Sequence, residues 1–323
     1  PPRGRTMAAS VEERPRTYRP PRQLGGRGPL TRSQRRLAAA ACFTAPALVV
    51  LLTFVGWPMV SALRTSLYES SGFGAETFVG LQNYVTVFTD PTLLRAMANT
   101  ALYAVLFTPL SIGLALALAL LVNDPRLPLR GLFRTALFLP FIVSLAVAAL
   151  AWQYLIDPQV GLLNHWLSGL GIQLGDVLED PTLAMPAVVL VAVWKSFGFY
   201  MVVFVAGLQD VPESLYEAAR MDGAGPLGRF RHVTLPLLSS TTTFVVVFAL
   251  IAALQAFDQI YVLTQGGPYG ATDTVVTQIY ETGFQELDLG IASALSYVLL
   301  VATLLLSLVQ FLVAARREKD LGA

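Results

Sequence analysis

Residues 213–236 read ESLYEAARMDGAGPLGRFRHVTLP and form a charge-dense stretch between two long apolar segments. The stretch carries the start and stop signals of a helix. Asp210 is a favourable N-cap, and Glu213 completes a capping-box pattern with it. Gly223 provides a C-terminal stop, and Pro226 lies just beyond it. These signals predict a helix of about three turns, followed by a second short helix that begins at Pro226.

The predicted helix has two different faces. The apolar face, which is small at its centre, comprises Val211, Leu215, Ala218 and Ala219. The charged face comprises Glu213, Glu217 and Arg220. A helix that lies on a membrane normally has bulky apolar residues opposite a basic face. Docking on a protein is the better interpretation, because two alanines let a partner approach the backbone closely. Leu235-Pro236 is expected to begin the next spanning helix.

The composition of the whole chain is that of a membrane protein. Of its 323 residues, 54% are hydrophobic and 13% are charged, and the mean hydropathy is +0.60. Soluble proteins carry about 25% charged residues. The segments that reach spanning length are residues 37–57, 98–121, 133–156, 184–208, 238–262 and 290–314. They lack the alternation of apolar and polar residues that is typical of β-barrel strands. The sequence therefore predicts an all-α polytopic membrane protein with six transmembrane helices.

The basic residues fall almost entirely on one side of this predicted topology. The exceptions among the 22 lysines and arginines are Arg64, Arg95 and Lys195. By the positive-inside rule, both termini and the 209–237 loop face the cytoplasm. We predict a disordered basic tail at 1–36, a six-helix transmembrane domain at 37–315 and a cytoplasmic C-terminal tail at 316–323. The opposite loops are either solvated connections or a docking rim for an extracytoplasmic partner.

The chain lacks the residues that many enzymatic and metal sites require. A single cysteine, Cys42, and two histidines exclude an intramolecular disulfide and argue against a metal cluster. Neither HExxH nor GxSxG is present, so we expect no catalytic residue and no metal site. Lys195 and Lys319 are the only lysines, and neither lies in a GxxxxGK[ST] loop. We therefore expect that this chain does not bind ATP by itself.

Polar groups inside spanning segments are costly, so they mark candidate substrate contacts. The candidates for the substrate pathway are Lys195, Tyr200, Gln255, Asp258 and Tyr261. Lys195 could contact a substrate hydroxyl, although we favour a structural pairing with an acid or a backbone carbonyl. Gln255, Asp258 and Gln259 share one helical face, which suits either polyhydroxyl recognition or contact with a partner subunit. The aromatic residues could stack on sugar rings or simply pack between helices.

A motif in the central stretch resembles a known family. Residues 217–219 (EAA), Gly223 and residues 233–236 (VTLP) match the EAA signature of the permeases of ATP-binding-cassette (ABC) importers. The pattern is most similar to the carbohydrate-uptake branch, in which isoleucine usually stands in place of the valine of VTLP. Residues 99–100 (NT) and 257–268 (FDQIYVLTQGGP) also look like that branch.

The resemblance implies a type I ABC importer permease fold and a division of labour. The chain would be a non-catalytic subunit that binds no cofactor and no nucleic acid. It would pair with a second permease subunit and a dimer of ATPase subunits that binds ATP and Mg²⁺. An extracytoplasmic binding protein would deliver the substrate, and the complex would lie among the lipids of a bacterial inner membrane. The residues implied in ATPase coupling are Glu217, Ala218, Ala219, Asp222, Gly223, Leu235 and Pro236.

The resemblance also narrows the substrate. It favours a di- or oligosaccharide, with a glycerol-phosphate-type polyol as the alternative. A secondary transporter is a weaker hypothesis, since it predicts ion-coupling carboxylates or broken helices at the membrane midplane, whereas the acids here lie in loops or near an interface. An intramembrane enzyme is disfavoured, because the spanning segments contain no paired carboxylates or histidines.

Overall fold

The structure is a computed structural model that describes residues 32–72, 74–171 and 175–322. Most of the predicted basic tail, 1–36, lies outside the described residues. The chain divides into two compact units, Pro1–Trp57 and Pro58–Ala323. The described part of the first unit contains helix α1 (Arg32–Leu51) and a π-helical turn (Leu52–Gly56). Helix α2 (Trp57–Thr65) begins at the boundary.

The second unit is predominantly helical. A small antiparallel ribbon joins β1 (Tyr68–Glu69) to β2 (Thr77–Phe78). The helices that follow are α3 (Gln82–Thr89), α4 (Pro91–Asn123), α5 (Arg130–Ile142), α6 (Leu145–Ile156), α7 (Leu162–Ser168), α8 (Ala184–Gln209), α9 (Glu213–Met221), α10 (Pro226–Arg229), α11 (Leu235–Leu237), α12 (Ser239–Leu254), α13 (Asp258–Leu263), α14 (Val275–Tyr280) and α15 (Leu289–Gly322). Further π-helical turns are Phe230–Thr234 and Glu281–Gln285.

The spanning segments agree with the sequence analysis in number but not in shape. The described helices that are long and apolar enough to cross a membrane are Ala39–Thr65, Pro91–Asn123, Ala184–Gln209 and Leu289–Val313. Two pairs of helices are long and apolar enough only when each pair is taken together, and both pairs are bent. The angle is 94° between α5 and α6 and 70° between Pro226–Leu237 and α12. If each bent pair is one span, the six predicted spans are all present. The all-α polytopic fold is confirmed.

The third predicted segment, 133–156, is wrong as a single straight helix. It breaks between α5 and α6, shortly after Pro140, which has no backbone N–H to donate. Val143 then adopts an extended conformation (ψ 140°), so the chain changes direction there. Broken helices therefore occur in this chain, and their presence does not by itself indicate a secondary transporter.

The fifth predicted segment, 238–262, also departs from prediction. Its helix ends at Leu254, and a separate helix begins at Asp258, whose carboxylate suits the positive end of a helix dipole. In the gap, the carbonyl of Ala256 accepts a hydrogen bond from Oγ1 of Thr274 at 3.2 Å. This bond satisfies a backbone group that the interrupted helix leaves free.

Helix α8 is the centre of the second unit. Of its spanning window, 67% is buried, and it packs against α4 and α5. Gly198 permits the close approach to α5, because a Cβ there would lie 2.4 Å from the backbone oxygen of Leu137. Helix α4 starts earlier than the predicted residue 98, since the Oδ1 of Asp90 accepts a hydrogen bond from the backbone N–H of Thr92 at 2.7 Å and caps the helix.

Candidate coupling helix and substrate path

The start of α9 differs from the prediction. Asp210 is not its N-cap, because Asp210 has helical dihedral angles (φ −79°, ψ −12°) and closes α8 instead. Pro212 occupies the N-cap position with extended geometry, and its carbonyl accepts a hydrogen bond from the backbone N–H of Leu215 at 3.2 Å. Proline has no side-chain oxygen, so the predicted capping box does not form. The helix nevertheless begins at Glu213, where a carboxylate favours the positive end of the helix.

The end of α9 confirms the predicted glycine stop. Gly223 has φ +77°, a left-handed conformation that favours glycine. Its N–H donates to the carbonyl of Arg220 at 3.0 Å, and the N–H of Ala224 donates to the carbonyl of Ala219 at 2.9 Å. These two bonds form a Schellman motif, which satisfies the last carbonyls of the helix and fixes the direction of the chain beyond it.

One apolar stripe of α9 is left uncovered by the described residues of the chain. Leu215 is 42% exposed and Met221 is 88% exposed, with Ala218 exposed between them. The opposite side faces the chain, because Tyr216 is half-buried and its hydroxyl lies 3.1 Å from Oγ1 of Thr234. The predicted apolar face is therefore only partly right. Ala219 lies one turn after Leu215 on the same face but is half-buried, whereas Ala218 is exposed.

The remaining predicted coupling residues lie close to α9. Glu217 and Asp222 are exposed. Among the described residues the single ion pair joins Arg64 to Glu76, so Glu217 does not pair with Arg220. Leu235 and Pro236 do not begin the fifth span as expected. They form the end of the Pro226–Leu237 helical segment, which meets α12 at the 70° bend.

Lys195 has a partner within the chain. Only 8% of the residue is exposed, and its Nζ donates to the backbone carbonyl of Phe141 at 2.7 Å. The Nζ also lies 4.7 Å from the centre of the Phe141 ring. Phe141 belongs to the last turn of α5, where carbonyls have no partner in their own helix. The ammonium group therefore caps the broken end of α5, the kind of structural pairing that we favoured.

The polar residues of the fifth span meet at a cavity. Gln255 closes α12, whereas Asp258 and Gln259 begin α13, so they do not share one helical face as predicted. All three line a cavity of about 170 Å³, into which Gln255 and Asp258 are exposed. Gln259 is buried, and its Nε2 donates to the hydroxyl of Tyr103 at 2.6 Å.

The sequence analysis missed part of the cavity wall. Tyr103 and Phe107 of α4 stack at 5.6 Å and line it together with Ser196 of α8. Their i, i+4 spacing within an apolar segment could have indicated one shared face, but which face met the cavity depended on the packing of α8. Tyr200 is buried in the core, where its ring packs edge-on against Phe199 at 5.6 Å.

Tyr261 belongs to a row of aromatic rings beyond the cavity. Its ring stacks on Phe257 at 5.2 Å and meets Tyr280 edge-on at 5.2 Å. Tyr280 in turn stacks on Phe284 at 5.5 Å, and Phe284 is 73% exposed. The rings thus lead from the end of α12 to the surface. In this position Tyr261 packs against protein rings, and part of it remains accessible.

The loop that follows α13 is clamped onto α4. The Nδ2 of Asn99 donates to the carbonyls of Gly270 (2.8 Å) and Asp273 (2.9 Å), and Oγ1 of Thr100 accepts from the N–H of Val275 at 2.9 Å. The carboxylate of Asp273 is buried and accepts hydrogen bonds from Thr277 and Gln278. Burial raises the pKa of Asp273 above its usual value, and the two hydrogen bonds oppose that rise.

An acidic cleft lies at the same end of the unit. It has a volume of about 590 Å³, and its charged lining residues are Asp157, Asp176 and Glu179. Backbone N–H groups of Val160 and Gln159 bind the carboxylate of Asp157 and hold its pKa below the usual value. The described residues contain no cluster of three His, Cys, Asp or Glu that could hold a metal ion.

This architecture defines a class of protein. Apolar helices of spanning length, with two bent pairs beside a polar cavity, combine with the exposed helix α9 between the fourth and fifth spans, which is the arrangement of a membrane permease. Residues 109–319 match the family described as binding-protein-dependent transport system inner membrane component, and the chain belongs to this family. It is therefore a permease component of an ABC transporter.

Several relatives share most of the chain. It is 39% identical to the probable ABC transporter permease protein YurN of Bacillus subtilis, over 83% of this chain and 93% of that protein. It is 38% identical to the sn-glycerol-3-phosphate transport system permease protein UgpA of Agrobacterium fabrum, over 84% and 93%. It is 34% identical to the lactose transport system permease protein LacF of Rhizobium radiobacter, over 85% and 94%.

Two solved structures share the fold. A chain of a bacterial ABC transporter involved in the import of the acidic polysaccharide alginate matches with a TM-score of 0.79 and 25% identity, over 87% of this chain and 96% of that chain. A bacterial alginate ABC transporter in complex with an alginate pentasaccharide-bound periplasmic protein matches with a TM-score of 0.76 and 25% identity, over 89% and 96%. The fold of an ABC importer permease is confirmed.

Proposed function

We propose that this chain is one of two transmembrane subunits of an ATP-driven importer in a bacterial inner membrane. Residues 37–315 would form the membrane domain, with the 1–36 and 316–323 tails and the 209–237 loop in the cytoplasm. The chain is non-catalytic, and a dimer of separate ATPase subunits binds ATP and Mg²⁺. A binding protein delivers substrate from outside, and the acidic cleft near Asp157 is a candidate docking site for it. The observation that carries this proposal is the exposed stripe of α9, ended rigidly at Gly223.

Each of the coupling residues has a different role in docking. Glu217 meets the ATPase electrostatically, Ala218 allows close packing, and Asp222 and Gly223 form the turn that ends the helix. Leu235 and Pro236 belong to the helical segment that connects α9 to α12. The hydrogen bond between Tyr216 and Thr234 ties α9 to this segment. Closure of the ATPase dimer would thus move α9 and the connecting segment together, and reorient the cavity.

The cavity lining supports an uncharged polyhydroxyl substrate, a neutral di- or oligosaccharide. Its described polar residues are Tyr103, Ser196, Gln255, Asp258 and Gln259, which present hydroxyl, amide and carboxylate groups. Such groups hydrogen-bond to sugar hydroxyls. The lining residues described include no lysine or arginine, and the amine of Lys195 is already bonded. The described lining of the cavity therefore offers no positive charge to an anion.

A glycerol-phosphate-type polyol is the second candidate. The identity of 38% to the permease UgpA favours it, whereas the exposed carboxylate of Asp258 disfavours it, because a carboxylate repels a phosphate. The alginate importers show that a related fold can serve an acidic ligand. The two candidates differ in charge, so a single experiment separates them.

The test uses the complete importer reconstituted in liposomes with its binding protein. ATPase stimulation and uptake are measured for neutral disaccharides (maltose, trehalose, lactose) and for sn-glycerol 3-phosphate. We expect stimulation by a neutral sugar. The variant Asp258→Asn should weaken uptake of that sugar roughly fivefold, the worth of one hydrogen bond, without loss of complex assembly. Glu286→Gln, an exposed carboxylate outside the cavity, is the matched control. Stimulation by glycerol phosphate alone would contradict the neutral-substrate assignment.

A further inference from the structure

A second concave surface lies between α5 and α8, apart from the substrate cavity. This groove has a volume of about 430 Å³, and none of its described lining residues lines the substrate cavity. Its walls are mainly apolar and comprise Phe138, Val202, Val205 and Ala206. Gln209, the last residue of α8, and Arg134, in the second turn of α5, complete it. Because α9 begins shortly after Gln209, the groove lies at the end of the bundle that carries the coupling helix.

The guanidinium group of Arg134 is incompletely satisfied by its own chain. One terminal nitrogen donates to the carbonyl of Val122 at 3.2 Å and to Oδ1 of Asn123 at 3.4 Å. The Nε is buried and has no hydrogen-bond partner among the described residues. The single ion pair among the described residues joins Arg64 to Glu76, so none of these residues supplies a counter-anion to Arg134. A partly buried cation without a counter-anion is costly, and an anion bound in the groove that Arg134 lines would relieve the cost.

The shape of the groove and its charge suggest which molecule supplies that anion. An apolar channel of exposed side chains such as Val202 and Ala206 suits a hydrocarbon chain. A guanidinium at its end suits a phosphate, which arginine binds through several N–H donors. Arg126, in the loop that precedes α5, adds positive potential at this end of the bundle. Basic pockets between helices at the cytoplasmic surface are the places where anionic lipid headgroups bind.

We propose that the groove binds one anionic phospholipid, with its phosphate on Arg134 and an acyl chain along Phe138, Val202 and Val205. This assignment uses the cytoplasmic orientation given under the proposed function, but it does not depend on the transported solute. The bound lipid bridges α5 and α8 close to Gln209, the residue from which the chain continues to α9. Lipid composition would therefore influence how firmly the two helices hold the base of the coupling helix.

The experiment uses the complete importer, purified in mild detergent and incubated with phosphatidylglycerol or phosphatidylcholine. Native mass spectrometry counts the retained lipid, and thermal unfolding measures the stabilisation. We expect wild type to retain phosphatidylglycerol, Arg134→Gln to retain about tenfold less, and Arg134→Lys to retain most of it. Arg130→Gln, an exposed arginine of the same helix, is the matched control and should behave as wild type. Inorganic phosphate in place of lipid should give no stabilisation.

A further variant keeps the test decisive if Arg134→Gln does not fold. Val202→Trp fills the groove from its exposed wall and leaves the arginine in the sequence, and it should displace the lipid equally. A photoreactive residue at Val202 should form an adduct with phosphatidylglycerol. Adducts with the second permease subunit instead, or equal lipid retention by Arg134→Gln and Arg130→Gln, would overturn the proposal.

Discussion

The replacement of Gly223 by valine tests whether the end of α9 matters for transport. Gly223 has φ +77°, and a Cβ added there would meet open space among the described residues. The cost within this chain is therefore backbone strain alone. A residue other than glycine in the left-handed region costs about 1–2 kcal/mol, and a β-branched residue lies at the upper end of that range. Since 1.4 kcal/mol is tenfold in an equilibrium constant, the ratio of intact to open Schellman motif should fall about five- to thirtyfold.

The measurement is substrate-stimulated ATP hydrolysis and uptake by the reconstituted importer. We expect Gly223→Val to lower uptake in proportion to the lost population while the protein still inserts into the membrane. Gly223→Asn should retain most activity, because asparagine tolerates left-handed angles. The matched control is Gly225→Thr, which places a side chain of the same shape in the same turn. Gly225 has an ordinary φ of −67°, and threonine suits its position before α10.

Each outcome separates one explanation from another. Equal uptake by Gly223→Val and Gly225→Thr would refute the reasoning, because the rigid end of α9 would then be dispensable. If Gly223→Asn is as inactive as Gly223→Val, the defect comes from added side-chain bulk against the partner subunit and not from the dihedral angle. Loss of the ATPase subunits from the purified complex would place the defect in docking, whereas an intact complex with uncoupled hydrolysis would place it in transmission.

Two other substitutions test contacts elsewhere in the bundle. Lys195→Met leaves the carbonyl of Phe141 unpaired and should lower thermal stability by about 1.5–3 kcal/mol in a detergent melting experiment, with substrate preference unchanged. An altered preference with unchanged stability would instead make Lys195 a substrate contact. Burial raises the pKa of Asp273, so the folded state holds its proton more firmly than the unfolded state does, and stability should rise as pH falls through the raised pKa. Asp273→Asn should remove this dependence from melting curves recorded against pH, and an unchanged pH dependence in that variant would contradict the assignment.

The features that depend on local chemistry were predictable from the sequence. The stop at Gly223 follows from a glycine placed after a helical pattern, and the structure confirms it. The start of α9 was predicted with Asp210 as the N-cap, whereas the helix begins at Glu213 with Pro212 in the N-cap position. Asp210 remains helical, and the geometry of Pro212 separates α8 from α9. The capping-box prediction used residue types alone and did not take account of the conformation that proline imposes on the chain.

The two breaks in the spans could not be predicted from hydropathy. A hydropathy average over a window of residues measures apolar composition. The sequence stays apolar through Val143 in the third span and Ala256 in the fifth span, where the helices break. Whether a helix is interrupted depends on donors from distant parts of the sequence. Lys195 supplies one to the end of α5, and Thr274 supplies one to the carbonyl of Ala256. The polar residues of the fifth span were identified correctly by type, but their arrangement follows from the second break and not from a helical period.

The breaks and the cavity have a common physical origin. An unpaired backbone carbonyl in lipid costs several kcal/mol, so a spanning helix can be interrupted only where another element supplies a donor. Leu145, at the start of α6, and Gln255, at the end of α12, both line the cavity. The chain can therefore turn aside there and leave polar space in a largely apolar bundle. We infer that motion from α9 reaches the cavity through the short helices before α12 and ends at Gln255, where α12 stops. It does not end at the loop that Asn99 holds onto α4.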